Sequence, residues 1–255
     1  MTIASKVPQI TAVFWIVKVL TTGMGETTSD FLVTHGNPVV AVIVSAVVFA
    51  GVLAAQFVTR RYIPWLYWLT VVMVSVFGTM VADVTHIVFG VPYLASTVAF
   101  STALAVVFLL WRRIEGTLSI HSITSRRREV FYWATVLCTF ALGTAAGDMT
   151  ATTLHLGYLA SGILFAIVMA VPLLSYRWLR MNAIVAFWFA YIVTRPLGAS
   201  FADWAGVSHV RGGLALGTGP VSAVLAGVIV VLVTAMTIRR RSSVSSAGRL
   251  TATGD

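Results

Sequence analysis

The chain has 255 residues, 58% of them hydrophobic and only 10% charged, with a mean hydropathy of +0.94. A soluble domain carries roughly 25% charged residues, so this composition excludes one and marks an all-α polytopic membrane protein. The net charge of +9 does not point to nucleic acid, because the basic residues fall in short loops between apolar runs, and the single Cys138 excludes an intrachain disulfide framework.

Eight apolar runs follow in chain order, at about 9–31, 39–58, 63–88, 92–111, 130–155, 158–176, 182–204 and 218–238. Each is near or above the roughly 20 residues that cross a bilayer core as a helix. The first run is expected to stay in the mature protein. It contains Lys18, and Glu26 and Asp30 stand where a small-residue cleavage site would be. Fourteen basic residues, from Lys6 through Arg60, Arg61, Arg112, Arg113 and Arg126–Arg128 to Arg249, fall on one side, and Arg211 alone falls on the other. That asymmetry predicts an inner (plasma) membrane protein with both termini cytoplasmic. The polar stretch 241–255 reads as a disordered cytoplasmic tail.

The odd-numbered runs carry a repeat. "WIVKVLTTGMGETTSD", "WLTVVMVSVFGTMVAD", "WATVLCTFALGTAAGD" and "WFAYIVTRPLGASFAD" align without gaps from Trp15, Trp68, Trp133 and Trp188. Gly25, Gly78, Gly143 and Gly198 come ten residues after each Trp, and Asp30, Asp83, Asp148 and Asp203 five residues later. Each unit is a motif helix followed by a plain apolar one, over about 6–58, 60–111, 126–176 and 180–238 within a single transmembrane domain, 6–240. Two crossings per unit make the four repeats parallel, around a pseudo-symmetric axis along the membrane normal. The tryptophans are expected at the cytoplasmic interface, and the glycines where helices approach closely below an acidic layer.

This W-x9-G-x4-D pattern resembles a family of bacterial membrane-anchored proteins built from four tandem two-helix repeats, each with a characteristic tryptophan, catalogued as a repeat of unknown function. The resemblance covers about residues 6–240. It implies eight transmembrane helices and brings no established activity.

A carboxylate within a membrane helix costs roughly 2.5–3.5 kcal/mol on insertion scales, so Glu26, Asp30, Asp83, Asp148 and Asp203 need a compensating role. Steps of four place them on stripes with Lys18, Thr79, Thr144 and Arg195. With Thr27, Thr28, Ser29, Thr85 and Thr150 nearby, the donors are mostly oxygen and suit hard divalent cations. His86 and His155 are possible auxiliary ligands that would favour manganese. The aspartates could instead cap short re-entrant segments. Lys18 and Arg195 are expected to balance charge or gate the site, with Pro196 freeing a carbonyl near Ile192 as a local partner for Arg195.

No CxxC, HExxH, GxSxG or nucleotide-binding pattern is present, so an enzyme is not expected and no tightly bound cofactor is implied. The residues point to a secondary transporter of a divalent metal such as manganese, with protons as coupling ion and the lipid bilayer as surroundings. The alternatives are a proton-coupled carrier of a small organic substrate and a non-transporting structural or sensory membrane subunit.

Overall fold

Local sequence starts and stops the helices. Thr11 accepts from the Phe14 amide at 3.3 Å and opens α1, Ala12–His35. Asn37 accepts from the Val39 and Val40 amides, and Pro38 supplies the first residue of α2, Pro38–Val58. Pro64 starts α3, Pro64–Asp83, and a left-handed Gly116 (φ 73°) ends α4, Tyr93–Glu115. Ser125 caps α5, Arg126–Asp148, and Asn182 caps α7, Ala183–Gly206. Between these last two lies α6, Gly157–Trp178, and α8 runs over Thr218–Ala252.

The computed structural model describes residues 6–252, with side chains through residue 239. All eight long elements are α-helices, and no strand occurs among the described residues. Among the described residues, seven helices are long and apolar enough to cross a membrane. The remaining one, α1, has the length, but Lys18, Glu26 and its Thr and Ser residues lower its hydropathy. The expected tail over 241–255 falls partly in α8, whose backbone is helical to Ala252, and partly on residues 253–255, which lie outside those described.

The four motif helices form a closed ring: α1 contacts α3, α3 contacts α5, α5 contacts α7, and α7 contacts α1. The other four lie outside, and each packs chiefly against the motif helix of the following repeat. Thus α2 lies on α3, α4 on α5, α6 on α7, and α8 returns to α1. The outer helices leave long apolar faces uncovered, as in Val39, Val40, Ile43, Val44 and Val47 of α2. Such a continuous apolar surface fits contact with lipid.

The ring closes at its glycines. A Cβ on Gly25 would collide with Ser75, one on Gly143 with Arg195, and one on Gly198 with Thr22, while one on Gly78 would lie 2.8 Å from the Phe140 Cβ. Ser75, Phe140, Arg195 and Thr22 each stand seven residues after a motif tryptophan. Each glycine therefore accommodates the same motif position of the next helix in the ring, and α1 and α7 complete the circuit.

Aromatic side chains seal one end of the ring. Trp68, Trp133 and Trp188 are buried there with Phe14, Tyr67, Tyr132, Phe187 and Tyr191, and the Tyr67 and Tyr132 hydroxyls are 2.5 Å apart. Three of the four tryptophans thus turn toward neighbouring helices of the ring; Trp15 alone is half-buried. The reason is geometric. The tryptophan shares the inward stripe of the residues three, seven, eleven and fifteen positions later, so packing around the ring draws it inward. Beyond the aromatics, Val7, Ile120 and Ile123 close the same end. There Lys6 Nζ meets Glu129 Oε2 at 2.5 Å, Gln56 Nε2 donates to Glu129 Oε1 at 3.2 Å, and Trp188 Nε1 donates to the Leu118 carbonyl at 2.9 Å.

Candidate functional site: an acidic cavity at the aspartate end

The opposite end of the ring holds a cavity of about 250 Å³ lined by Glu26, Asp30, Asp83, Asp148 and Asp203. All four repeats contribute a carboxylate. Tyr93, Tyr158, Arg211, Thr34 and Thr152 complete its polar wall, and Val33 and Ile87 add apolar surface. One oxygen each of Glu26, Asp148 and Asp203 lies within 4.8 Å of the others. Asp203 is 6% exposed, and its buried Oδ1 has no hydrogen-bond partner among the described residues.

The floor is an ion pair between the first and fourth repeats. Arg195 Nη2 lies 2.5 Å from Glu26 Oε2, and both side chains are buried. The same nitrogen donates to Thr144 Oγ1 at 2.6 Å and also to Thr79 Oγ1, while Nη1 donates to the Thr22 carbonyl at 3.2 Å. Thr79 Oγ1 in turn donates to Glu26 Oε2 at 3.3 Å. Glu26, Thr79 and Thr144 occupy the same motif position, eleven residues after their tryptophans, and Ala199 is its counterpart in the fourth repeat. The one alanine leaves room for the guanidinium that the other three side chains engage.

Lys18 lies deeper. Its Nζ has no hydrogen-bond partner among the described residues and sits 4.1 Å from the Phe140 ring centroid and 4.3 Å from that of Tyr191. Two aromatic rings thus flank the Lys18 amino group between the ion pair and the aromatic seal.

Several expected roles fall elsewhere. Helix α7 continues through Pro196, and Arg195 reaches across the ring rather than to the carbonyl of Ile192. Asp83 and Asp148 make no capping bond. Each passes the chain from an α-helix straight into a π-helical turn, Val84–Val88 and Met149–Thr153. Helix α1 runs on past Asp30 and α7 past Asp203, so no motif helix is broken at its aspartate. Such π-turns widen a helix locally and are frequent at functional sites.

His86 bonds to the Val91 carbonyl at 2.9 Å and to Ser96 Oγ at 3.3 Å. His155, with φ 54°, is exposed, and neither histidine lines the cavity. Thr27 and Thr28 bond Ser222 of α8, and Thr85 and Thr150 bond carbonyls of their own helices. Ser29 does reach the site, donating to Asp83 Oδ2 at 3.5 Å.

Two cavity residues escaped the motif search although the sequence carries a sign of them. Tyr93 and Tyr158 each stand twenty-five residues after a motif tryptophan, and each begins the tetrapeptide Tyr-Leu-Ala-Ser, at 93–96 and 158–161. The third residue is Arg211, which counted only towards topology. The loop after α7 folds back along that helix and carries Arg211 to the cavity: the Leu214 amide donates to the Trp204 carbonyl at 2.7 Å and the Ala215 amide to the Val207 carbonyl at 2.9 Å.

No curated protein and no solved structure gives a significant match to the chain. A family model does, four times in tandem, at residues 13–62, 66–117, 131–182 and 186–242. The matches follow the four Trp-to-Asp units and their outer helices, and the chain belongs to the family described as the Repeat of Unknown Function (DUF347).

Proposed function

We propose that this protein is a secondary transporter of a divalent metal cation of the manganese class, with eight membrane-spanning helices arranged around a pseudo-symmetric axis in the bacterial inner membrane. In this reading both termini are cytoplasmic, and the acidic cavity faces the opposite side. The observation that carries it is the convergence of five carboxylates from all four repeats on one cavity. Three of them have oxygens within 4.8 Å of one another. Arg195 compensates one of the five directly, which leaves excess negative charge for a cation. Carboxylate oxygens suit a hard divalent ion. The aromatic seal and the Arg195–Glu26 pair close the path at the other end, as alternating access requires of one state. Protons are the coupling ion, since carboxylates crowded together cannot all stay ionised without a cation.

One observation favours a second reading. Tyr93, Tyr158, Val33 and Ile87 give the cavity aromatic and apolar surface that a small organic ammonium would use. Titration calorimetry of the purified protein with manganese separates these readings. Metal binding that Asp148→Asn and Asp203→Asn both weaken by tenfold or more supports metal transport. Binding of organic amines without metal binding favours the second reading, and binding of neither favours a structural subunit.

A further inference from the structure

Five carboxylates line the cavity, and three of them form a tighter group. One oxygen each of Glu26, Asp148 and Asp203, from α1, α5 and α7, lies within 4.8 Å of the other two. A divalent ion takes carboxylate oxygens at roughly 2.0–2.6 Å, so oxygens on opposite sides of it stand roughly 4–5 Å apart. These three can therefore share one ion. The partnerless Oδ1 of Asp203 points the same way, since a buried carboxylate oxygen is costly unless something completes it. Asp30 and Asp83 line the cavity outside this group, and Asp83 Oδ2 accepts from Ser29 Oγ at 3.5 Å. Glu26 differs from the other two ligand candidates in sharing its carboxylate with Arg195, 2.5 Å from Oε2. Hydrogen bonds to Glu26 and the Thr22 carbonyl of α1, Thr79 of α3 and Thr144 of α5 fix the guanidinium there.

Resting on the proposed cation transport, we infer that Glu26, Asp148 and Asp203 are the ligands of the transported ion, and that Arg195 limits how tightly they hold it. Three carboxylates and one guanidinium carry two net negative charges, which one divalent ion neutralises. Without the guanidinium the same ligands would keep a negative charge after binding, and the ion would leave at greater cost. A carrier must release its ion as well as bind it, and Arg195 in place beside Glu26 keeps the site from becoming a trap. The coupling is reciprocal. An ion that draws on Glu26 weakens the pair joining the first and fourth repeats by the factor by which Arg195 weakens the ion.

The test is calorimetric titration of the purified full chain with manganese. Arg195→Gln is expected to bind manganese about tenfold more tightly than the parent protein. Arg195→Lys, which keeps the charge, should stay near the parent affinity. A residue that only braced the ring would weaken binding on removal, never strengthen it. Among the acids, Asp203→Asn should weaken binding by a factor about threefold or more larger than Asp30→Asn, which removes the same charge from the cavity wall. That comparison keeps the test open should Arg195→Gln fail to fold. Unchanged or weaker binding in folded Arg195→Gln, or equal losses in Asp203→Asn and Asp30→Asn, overturns the inference and leaves the transport reading standing. Absence of manganese binding in the parent protein overturns both.

Discussion

Arg195 and Glu26 are separated by 169 residues and meet at 2.5 Å, joining the last motif helix to the first. The pair closes the ring and forms the floor of the cavity. Removing one partner of a buried ion pair strands the other charge, at a cost of about 3–5 kcal/mol. Arg195→Met should therefore lower the melting temperature sharply in detergent. The double variant Arg195→Met with Glu26→Gln should recover much of the loss, because no charge is then stranded. Equal stability of Arg195→Met and the parent would mean that the pair does not hold the ring.

Gly25 and Gly51 provide a matched comparison. A methyl group on Gly25 would collide with the side chain and backbone of Ser75, whereas nothing lies within 4 Å of one on Gly51 of α2. Gly25→Ala should destabilise by about 1–3 kcal/mol through overpacking. Gly51→Ala should be neutral or slightly stabilising, since alanine is the better helix former. Thermal unfolding followed by fluorescence distinguishes the two, and equal behaviour would remove the close α1–α3 approach.

Lys18, unpartnered between Phe140 and Tyr191, should tolerate an apolar replacement of similar length. Lys18→Met is expected to leave melting unchanged or raised. If Lys18 acts as a barrier in the conduction path, the same variant should weaken the dependence of manganese movement on a proton gradient. Proton and manganese movement measured together in vesicles check this. Parent-like coupling would restrict Lys18 to bracing the aromatic layer.

Topology is open to labelling. With Cys138 replaced by serine, single cysteines at Asn37, Phe89 and Leu156 should react with an impermeant thiol reagent added outside intact cells. Those at Arg60, His121 and Leu179 should not. Labelling of both sets from one side would contradict parallel repeats.

The motif helices and their inward stripe were legible because the tryptophan, glycine and aspartate spacings recur four times within the chain. The convergence of the acids follows from that stripe once the ring closes. Which way the tryptophans face was not legible, because an indole near a helix end reads the same whether it points outward or toward the axis; only the neighbours in the ring decide. The packing of each outer helix on the following repeat was not legible, since hydropathy shows which face is apolar but not what covers it. His86 resembled a ligand by its nearness to Asp83, yet the π-turn and the loop after it direct its ring to Val91 and Ser96. Arg211 was hidden by its use as a topology marker, because a folded-back loop brings it to the cavity.

Manganese flux into proteoliposomes, driven by a proton gradient, tests the acidic cavity as a cation pathway most directly. The parent protein should move manganese. Asp83→Asn and Asp148→Asn, which keep side-chain shape and remove charge, should each reduce the flux by tenfold or more at normal protein levels. Parent-like flux in both variants, or no flux in the parent protein, would contradict cation transport through the carboxylates of the four repeats.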